Sequence, residues 1–276
     1  MNKENIQRKM STVFEKAKNI RPLLPSVTNY VTAGFVADCQ VAAGASAAIV
    51  NMPDEVCRLA EKCAAFYINL GTMFPIYEKT IPLAAEKLSE IEKPWVLDPV
   101  AAGLGNLRTS LLLELKKYKP PVIRGNASEI IALARLWKTI EGEACDCAID
   151  SSHQSEEALD AAVALAKYTG GAVAVSGVTD YVTDGNQTVV SYGGSVLMER
   201  AAGFGCALGG VAAYYLALAP ENPFTAALCA VNAFNFAGRE AEAKCQAPGS
   251  FRVAFLDMLY SLTVDNIVCN SFELRS

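Results

Sequence analysis

The chain has 276 residues, of which 52% are hydrophobic and 19% are charged. This length is enough for a large α/β domain with a sizeable core, and the balance excludes a disordered chain and is compatible with burial of surface in an oligomer. The formal net charge of -5 provides no positive field for a phosphate backbone or an anionic lipid surface, so we expect neither nucleic acid nor a membrane as a partner.

The cysteine and histidine content limits the possible chemistry. Nine cysteines, an odd number without a CxxC pair, are typical of a reduced, intracellular protein, and we expect a cytoplasmic location. The single histidine, His153, removes histidine-rich metal sites, and its polar neighbours predict a solvated side chain. Cys145 and Cys147 lack a second cysteine pair, so we expect no zinc site there.

Taken from the N-terminus, the first twenty residues carry frequent charges and no apolar core, which predicts an amphipathic helix and not a signal peptide. Four apolar runs, each ending on a polar or glycine residue, are predicted as strands 66–70, 95–97, 122–123 and 172–175. The predicted helices are 54–64, 75–91, 109–118, 128–137 and 155–168. Ser155 is the expected N-cap of the last helix. No linker or repeat divides residues 1–276, so we expect a single domain.

Strands that alternate with helices predict a mostly parallel sheet covered on both faces, a three-layer α/β/α sandwich. Ligands bind such sheets beyond the carboxyl ends of the strands. The polar and glycine residues expected at those ends are Thr72, Asp98, Arg124, Asn126, Ser176 and Gly177. We therefore expect them to form one site. A hairpin of strands 181–183 and 188–190 follows, with its turn at Asp184 and Gly185.

Two segments without charged residues, 201–220 and 222–238, need a separate explanation. By length alone they could form a membrane hairpin. Their internal glycines and asparagines, and the lack of flanking Lys/Arg clusters, favour two helices buried between the sheet and a neighbouring subunit.

The segment GFGC at residues 203–206 opens the first of these helices. Gly203 and Gly205 let the backbone approach a ligand, and the free N–H groups of the first helical turn would bind a phosphate. Close helix packing explains the glycines equally well, because neither a Walker A motif nor a complete GxGxxG is present. Cys206 lies where a helix N-terminus favours the thiolate, so it is a candidate to accept or position a proton. The alternative is an inert buried cysteine.

Two carboxylates complete the candidate site. Asp98 ends a predicted strand, and Glu129 starts a helix shortly after Arg124. Carboxylates beside a phosphate pocket hold Mg²⁺ directly or through water, while an arginine neutralises nucleotide phosphates. Each carboxylate also has a purely structural explanation, since Asp98 can cap a turn and Glu129 can belong to the start of a helix.

Sequence blocks in a fixed order resemble those of the hydroxyethylthiazole kinase family. The blocks are VTNYV at 27–31, GAS at 44–46, NLGT at 69–72, DPV at 98–100, VIRGNASEI at 122–130, SG at 176–177, DYVTDG at 180–185, GFGC at 203–206, PGSF at 248–251 and AFLD at 254–257. The resemblance covers nearly the whole chain, from about residue 21 to 265. The combination of RGNASEI with a late GxGC is specific.

The resemblance implies a ribokinase-like fold and a homotrimer with active sites between subunits. The implied reaction uses ATP and Mg²⁺ to phosphorylate the hydroxyethyl group of 4-methyl-5-(2-hydroxyethyl)thiazole in thiamine salvage. Residues implied for ATP are Arg124, Asn126, Ser176 and Gly177. Those implied for Mg²⁺ are Asp98 and Glu129. The implied anion hole and base are Gly203, Gly205 and Cys206. Residues implied for the thiazole are Asn29, Gly34, Ile49 and Gly203.

Most departures from the family pattern lie on the alcohol side. Gly34 and Asp38 stand where asparagines are usual, Ile49 replaces a methionine, and Phe204 replaces a threonine and adds bulk beside the anion hole. The nucleotide side is intact. Three functions are compatible with this pattern, and we predict the first: a thiazole kinase with a reshaped pocket, a kinase for another small heterocyclic alcohol, or a nucleotide-binding homologue with little turnover.

Overall fold

A computed structural model describes residues 2–17, 20–142 and 155–275. His153, Cys145 and Cys147 lie outside the described residues, so the expectations of a solvated histidine and of no zinc site remain predictions.

The strands that the structure describes form one nine-stranded sheet in the order β2-β1-β3-β4-β5-β6-β7-β8-β9. Their bounds are β1 (Leu23–Val27), β2 (Ser46–Ile49), β3 (Phe66–Asn69), β4 (Trp95–Asp98), β5 (Val122–Asn126), β6 (Ala172–Ser176), β7 (Asp180–Thr183), β8 (Thr188–Ser191) and β9 (Phe272–Arg275). Strands β1 to β6 pair in parallel, and β7 to β9 continue the sheet in antiparallel. The predicted strands and the predicted hairpin are thus present, with ends shifted by up to three residues.

Helices cover both faces of this sheet. Their bounds are α1 (Lys3–Ala17), α2 (Ala33–Ala43), α3 (Pro53–Lys62), α4 (Tyr77–Glu90), α5 (Asn106–Leu115), α6 (Ala127–Leu136), α7 (Leu159–Thr169), α8 (Phe204–Leu218), α9 (Pro223–Glu242), α10 (Pro248–Tyr260) and α11 (Val264–Val268). One core lies between the sheet and α3 to α7, and the other between the sheet and α1, α2 and α8 to α11. The predicted three-layer α/β/α sandwich is confirmed.

The two cores follow from the alternation of side chains along each strand. In β3, Phe66 and Ile68 face the core with α3 to α7, while Tyr67 faces the core that contains α8. In β4, Leu97 and Val96 divide in the same way. Every second side chain of these buried strands therefore points toward the core that contains α8.

Several elements differ from the sequence predictions. Ser155 is not the N-cap of α7, because residues Ser155–Ala158 form a 3₁₀ turn and α7 begins at Leu159. The predicted helix 109–118 begins earlier, at Asn106, and its last turn is 3₁₀. Strands β1, β2 and β9 and helices α2, α10 and α11 have no counterpart among the predicted elements. Pro25 interrupts the pattern of β1, β2 is rich in alanine, and α2 lacks a clear polar face.

The two uncharged segments form α8 and α9, and most of their side chains are buried by the chain's own elements. Their partners include α2, α1, α10 and the sheet. Among the helices of the described ranges, none combines the length and apolar character needed to span a bilayer. A neighbouring subunit is therefore not needed to explain the composition of α8 and α9.

Candidate active site

The carboxyl edge of the parallel strands brings together most of the predicted site residues. Asn69 and Asp98 are the last residues of β3 and β4 and lie opposite each other in the parallel register. Asn126 and Ser176 occupy the same positions in β5 and β6. Helix α8 contacts β3, β4 and β5, and Cys206 in its first turn lies beside this edge. Polar groups from four strands and one helix N-terminus thus face a common region.

A buried ion pair lies at the centre of this region. Arg124 Nη1 is 3.5 Å from Asp98 Oδ2, and Arg124 Nη2 donates a hydrogen bond to Ser176 Oγ. Burial raises the pKa of Asp98 to about 6, against the lowering effect of the Arg124 charge. Asp98 Oδ1 and Arg124 Nε are buried and have no hydrogen-bond partner among the described residues. Unpartnered buried polar atoms are costly, so these two mark where a polar ligand or water belongs.

A hydrogen-bond network that the sequence analysis missed holds the other oxygen of Asp98. The Tyr67 hydroxyl is 2.8 Å from Asp98 Oδ2, and Asn69 Nδ2 donates to the same oxygen at 3.0 Å. Asn69 Oδ1 accepts a hydrogen bond from Asn29 Nδ2 at 3.1 Å, and that nitrogen is 3.4 Å from Cys206 Sγ. The sequence did contain a signal for this network. Tyr67 and Asn69 are two residues apart in a predicted strand, so their side chains point to the same face of the sheet.

The glycine-rich segment forms the start of α8. Gly203 is the N-cap and has φ of 104°, in the left-handed region that favours glycine. Gly205 lies in the first turn, where a Cβ would be 2.9 Å from Arg124 Nη1 and from Nη2. The glycine therefore gives the guanidinium access to the helix N-terminus. Free N–H groups and a guanidinium at one place form a strong anion-binding arrangement.

The environment of Cys206 differs from the sequence expectation. Burial raises the pKa of the Cys206 thiol, the charge of Asp98 raises it further, and Arg124 lowers it less. The expectation that the thiolate is favoured is wrong, because desolvation and the nearby carboxylate raise the pKa of the thiol. At neutral pH Cys206 is therefore mostly a thiol, which must lose its own proton before it can act as a base.

Glu129 and Asn126 form a capping box at the start of α6. Glu129 Oε2 accepts from the backbone N–H of Asn126 at 2.8 Å, and Asn126 Oδ1 accepts from the N–H of Glu129 at 2.9 Å. Glu129 Oε1 accepts from the N–H of Ala101 at 3.1 Å. Both carboxylate oxygens thus hold backbone amides, and Glu129 fixes the loop after β4. Its charge also raises the pKa of Asp98.

A cavity of about 430 Å³ opens beside Arg124. Residues along its wall include Asn126, Ser176, Gly177, Asp180, Gly193, Gly194, Phe204 and Asn235. Asp180 is buried there and accepts a hydrogen bond from the N–H of Gly177 at 3.0 Å, and burial raises the pKa of Asp180 to about 6. The volume lies in the range of small-molecule pockets. Sequence analysis placed Asp180 in a family block but did not assign it to the site.

The residues expected on the alcohol side are more dispersed. Asn29 contacts Asn69 and the Cys206 thiol. Gly34 is the second residue of α2, where an added Cβ would have no neighbour within 4 Å, and Ile49 ends the edge strand β2 with 38% of its surface exposed. Phe204 is buried and packs with Phe35 at a ring distance of 4.8 Å, so most of its bulk is directed into the core.

Comparisons with known proteins agree with this architecture. The profile of the hydroxyethylthiazole kinase family matches residues 14–265. A hydroxyethylthiazole kinase of Bifidobacterium longum (strain NCC 2705) is 43% identical over 95% of this chain and 89% of its own length. One from Arabidopsis thaliana is 38% identical over 87% of this chain and 86% of its own length.

Solved structures give the same result. The hydroxyethylthiazole kinase protein of Pyrococcus horikoshii OT3 superimposes with a TM-score of 0.85, at 29% identity, over 97% of this chain and 98% of that one. A ribokinase-like superfamily protein from Enterococcus faecalis V583 superimposes with a TM-score of 0.62, at 13% identity, over 94% of each chain. At that identity the second likeness concerns the fold alone, and it confirms the ribokinase-like architecture.

Proposed function

The chain belongs to the hydroxyethylthiazole kinase family, and on this premise we propose that it transfers the γ-phosphoryl group of ATP to the hydroxyethyl group of 4-methyl-5-(2-hydroxyethyl)thiazole, a step of thiamine salvage. The observation that carries the proposal is the buried Asp98–Arg124 pair at the start of α8, with one unpartnered polar atom on each side chain. An anion and a cation arriving together, as in a metal-bound nucleotide, would satisfy both atoms.

Different residues of the site would bind the phosphates, position the guanidinium and accommodate the rest of the nucleotide. Arg124 and the first-turn N–H groups at Gly205 would bind phosphate oxygens, and Ser176 holds the guanidinium from the other side. Because the transition state of phosphoryl transfer is loose, positioning and charge neutralisation matter more than a strong base. The cavity along Gly177 and Asp180 supplies room for the rest of the nucleotide.

Cys206 would lie next to the alcohol oxygen, with Asn29 contacting its thiol. Little thiolate is present at neutral pH to accept a proton, because the pKa of the thiol is raised. We therefore assign Cys206 the position of the base: the thiol would orient the hydroxyl, and the minor thiolate form would accept the hydroxyl proton as the alcohol oxygen bonds to phosphorus. A slow enzyme is the expected consequence.

Mg²⁺ fits the site through Asp98. Its Oδ1 is buried without a hydrogen-bond partner in the described ranges, and a carboxylate oxygen is a suitable ligand. Glu129 would act through water, because both of its oxygens hold backbone N–H groups. The described residues contain no cluster of three His, Cys, Asp or Glu side chains able to hold a metal ion, so phosphate oxygens would complete the coordination. When bound, Mg²⁺ neutralises phosphate charge and orients the transferred group.

Exposed apolar side chains surround the loops at one end of the site. The rings of Tyr30 and Phe74 contact each other in a tilted arrangement, 5.5 Å apart, although the side chains are 65% and 41% exposed. Val31 and Met52 are exposed beside the ends of β1 and β2. Such a patch is suited to burial against another subunit. We therefore propose a homotrimer in which a neighbouring subunit covers the alcohol side of the site. We also propose that residues 1–276 form one kinase domain and that the protein is located in the cytoplasm.

A coupled assay of ADP formation tests the proposed function. The thiazole alcohol and a panel of other hydroxymethyl and hydroxyethyl heterocycles are compared at the same MgATP concentration. The proposal predicts the highest kcat/KM for the thiazole alcohol. A higher value for another heterocycle would assign the site to that alcohol, and calorimetric MgATP binding without ADP formation would indicate a nucleotide-binding homologue.

The assembly is measured on the same preparation by sedimentation equilibrium. A homotrimer has three times the 29.4 kDa of one chain. A monomer at micromolar concentration would contradict the proposed assembly without contradicting the activity.

A further inference from the structure

Tyr67 belongs to β3 and is fully buried, with its ring directed toward α8. Its hydroxyl is 2.8 Å from Asp98 Oδ2 and 2.8 Å from the carbonyl oxygen of Cys206. One side chain thus contacts both the carboxylate at the end of β4 and the first turn of α8. These are the two parts of the site that must keep a fixed separation if phosphoryl transfer is to be in line.

Asn69 fixes the orientation of the Tyr67 hydroxyl. Asn69 Nδ2 is 2.9 Å from the tyrosine oxygen and 3.0 Å from Asp98 Oδ2, so the tyrosine oxygen accepts from the amide. The single hydroxyl proton then lies between two acceptors, Asp98 Oδ2 and the Cys206 carbonyl. The contact is therefore directional, and a phenylalanine at residue 67 could not reproduce it.

Gly209 makes room for the tyrosine. A Cβ at residue 209 would be 2.6 Å from both the Tyr67 hydroxyl oxygen and Cε2 of its ring. Such distances are not tolerated, so the helix surface one turn after Cys206 must be bare for the ring to reach Asp98. Tyr67 can therefore occupy this position only because residue 209 is a glycine.

We propose that Tyr67 is a positioning residue for the kinase reaction: its hydroxyl sets the position of the first turn of α8, with Cys206 and the anion-binding N–H groups, relative to Asp98. The inference rests on the proposed function for its catalytic consequence. The hydroxyl does not touch the thiol, since its contact is with the Cys206 carbonyl, and it acts through Asp98 and the helix.

Tyr67→Phe removes the hydroxyl and keeps the ring against Gly209. We expect kcat to fall roughly 10- to 100-fold, because small misplacements of reacting groups cost that much. The KM values for MgATP and for the alcohol should stay within about threefold, because Tyr67 does not line the nucleotide cavity and Asp98 keeps its contacts with Asn69 and Arg124 in the variant. Tyr215→Phe is the matched control: Tyr215 is also a buried tyrosine, it belongs to α8 and it is not among the residues of the site, so the variant's kcat should equal that of the wild type.

Amide hydrogen exchange of residues 203–210 gives a second readout that needs no activity. We expect exchange in this segment to accelerate about threefold or more in Tyr67→Phe and not in Tyr215→Phe, because the first turn of α8 loses its hydrogen bond from the Tyr67 hydroxyl. If Tyr67→Phe does not fold, Gly209→Ala, which forces the hydroxyl aside, gives the same comparison.

The outcomes separate the two proposals. Lower kcat with unchanged KM values and faster exchange supports the inference. Unchanged kcat overturns it, even when exchange is faster, because the contact would then be structural only. If the wild type phosphorylates none of the alcohols tested, the proposed function fails. The exchange measurement then decides the positioning alone: faster exchange supports it, and unchanged exchange overturns it.

Discussion

The guanidinium of Arg124 lies directly against Gly205, where a Cβ would be 2.9 Å from Nη1 and from Nη2. A charged side chain from β5 therefore meets the free N–H groups of α8 without an intervening side chain. The same guanidinium reaches Asp98 and Ser176. This contact links the anion-binding end of the helix to the carboxylate proposed to hold the metal.

Arg124→Ala should lower the affinity for MgATP by roughly 10-fold or more, since hydrogen bonds to charged groups contribute about 1.5 to 3 kcal/mol. Isothermal calorimetry measures the change. Arg124→Lys keeps the positive charge but lacks the planar guanidinium, so its affinity for MgATP should lie between those of the wild type and Arg124→Ala. Arg8→Ala removes an exposed arginine from α1 and should bind as the wild type does. Unchanged affinity in a folded Arg124→Ala protein would show that the nucleotide binds elsewhere.

Cys206→Asp should preserve or raise kcat, because a carboxylate is a more effective proton acceptor than a thiol whose pKa is raised. Cys206→Ala, which removes the acceptor, should lower kcat roughly 10-fold or more while MgATP affinity stays within about threefold. Both values come from the ADP assay. Complete loss of activity in folded Cys206→Asp would argue against a base at this position.

Asp180 gives a pH dependence of stability. Its pKa is about 6 in the folded protein and about 3.9 in an unfolded chain, so the folded state binds more protons between these values. The contribution of Asp180 to the free energy of unfolding is therefore present below about pH 4 and lost as pH rises through 6, by on the order of 3 kcal/mol.

Asp180→Asn keeps an oxygen for the N–H of Gly177 and removes this titration. Urea unfolding at pH 4.5 and at pH 7.5 should show the variant gaining stability relative to the wild type at the higher pH. A difference between the two proteins that is the same at both pH values would contradict the proposed environment of Asp180.

Gly209→Ala should destabilise the protein by about 1 to 3 kcal/mol, the usual cost of overpacking, because its Cβ meets the Tyr67 ring. Tyr67→Leu, which removes the ring, should recover part of that loss when combined with Gly209→Ala. Gly249→Ala is the control, since an added Cβ in α10 has no neighbour within 4 Å. Additive effects of the two core substitutions in urea unfolding would show that the residues are not coupled.

Local patterns in the sequence predicted β3 to β6 and the polar residues at their ends, because a short apolar run followed by a polar residue is a local signal. The same reasoning failed for β1, where Pro25 interrupts the run, and for α2, whose sequence has no clear polar face. It also overestimated the helix 155–168, since the chain first forms a 3₁₀ turn.

The parts of the site that were missed depend on contacts between distant segments. The hydroxyl of Tyr67 reaches Asp98 and α8 only after β3, β4 and the helix have packed together. The raised pKa of Cys206 has the same origin, because burial beside Asp98 comes from tertiary packing. Sequence proximity predicts neither.

The central claim is that this site transfers phosphate from ATP to the thiazole alcohol. The most direct measurement is phosphorus NMR of a reaction containing the protein, MgATP and 4-methyl-5-(2-hydroxyethyl)thiazole, with Arg124→Ala as the matched control. A new phosphate-monoester signal that grows in step with ADP, and is much slower to form with the variant, is the predicted result. ATP that remains intact beside the alcohol, in a protein that binds MgATP, would contradict it.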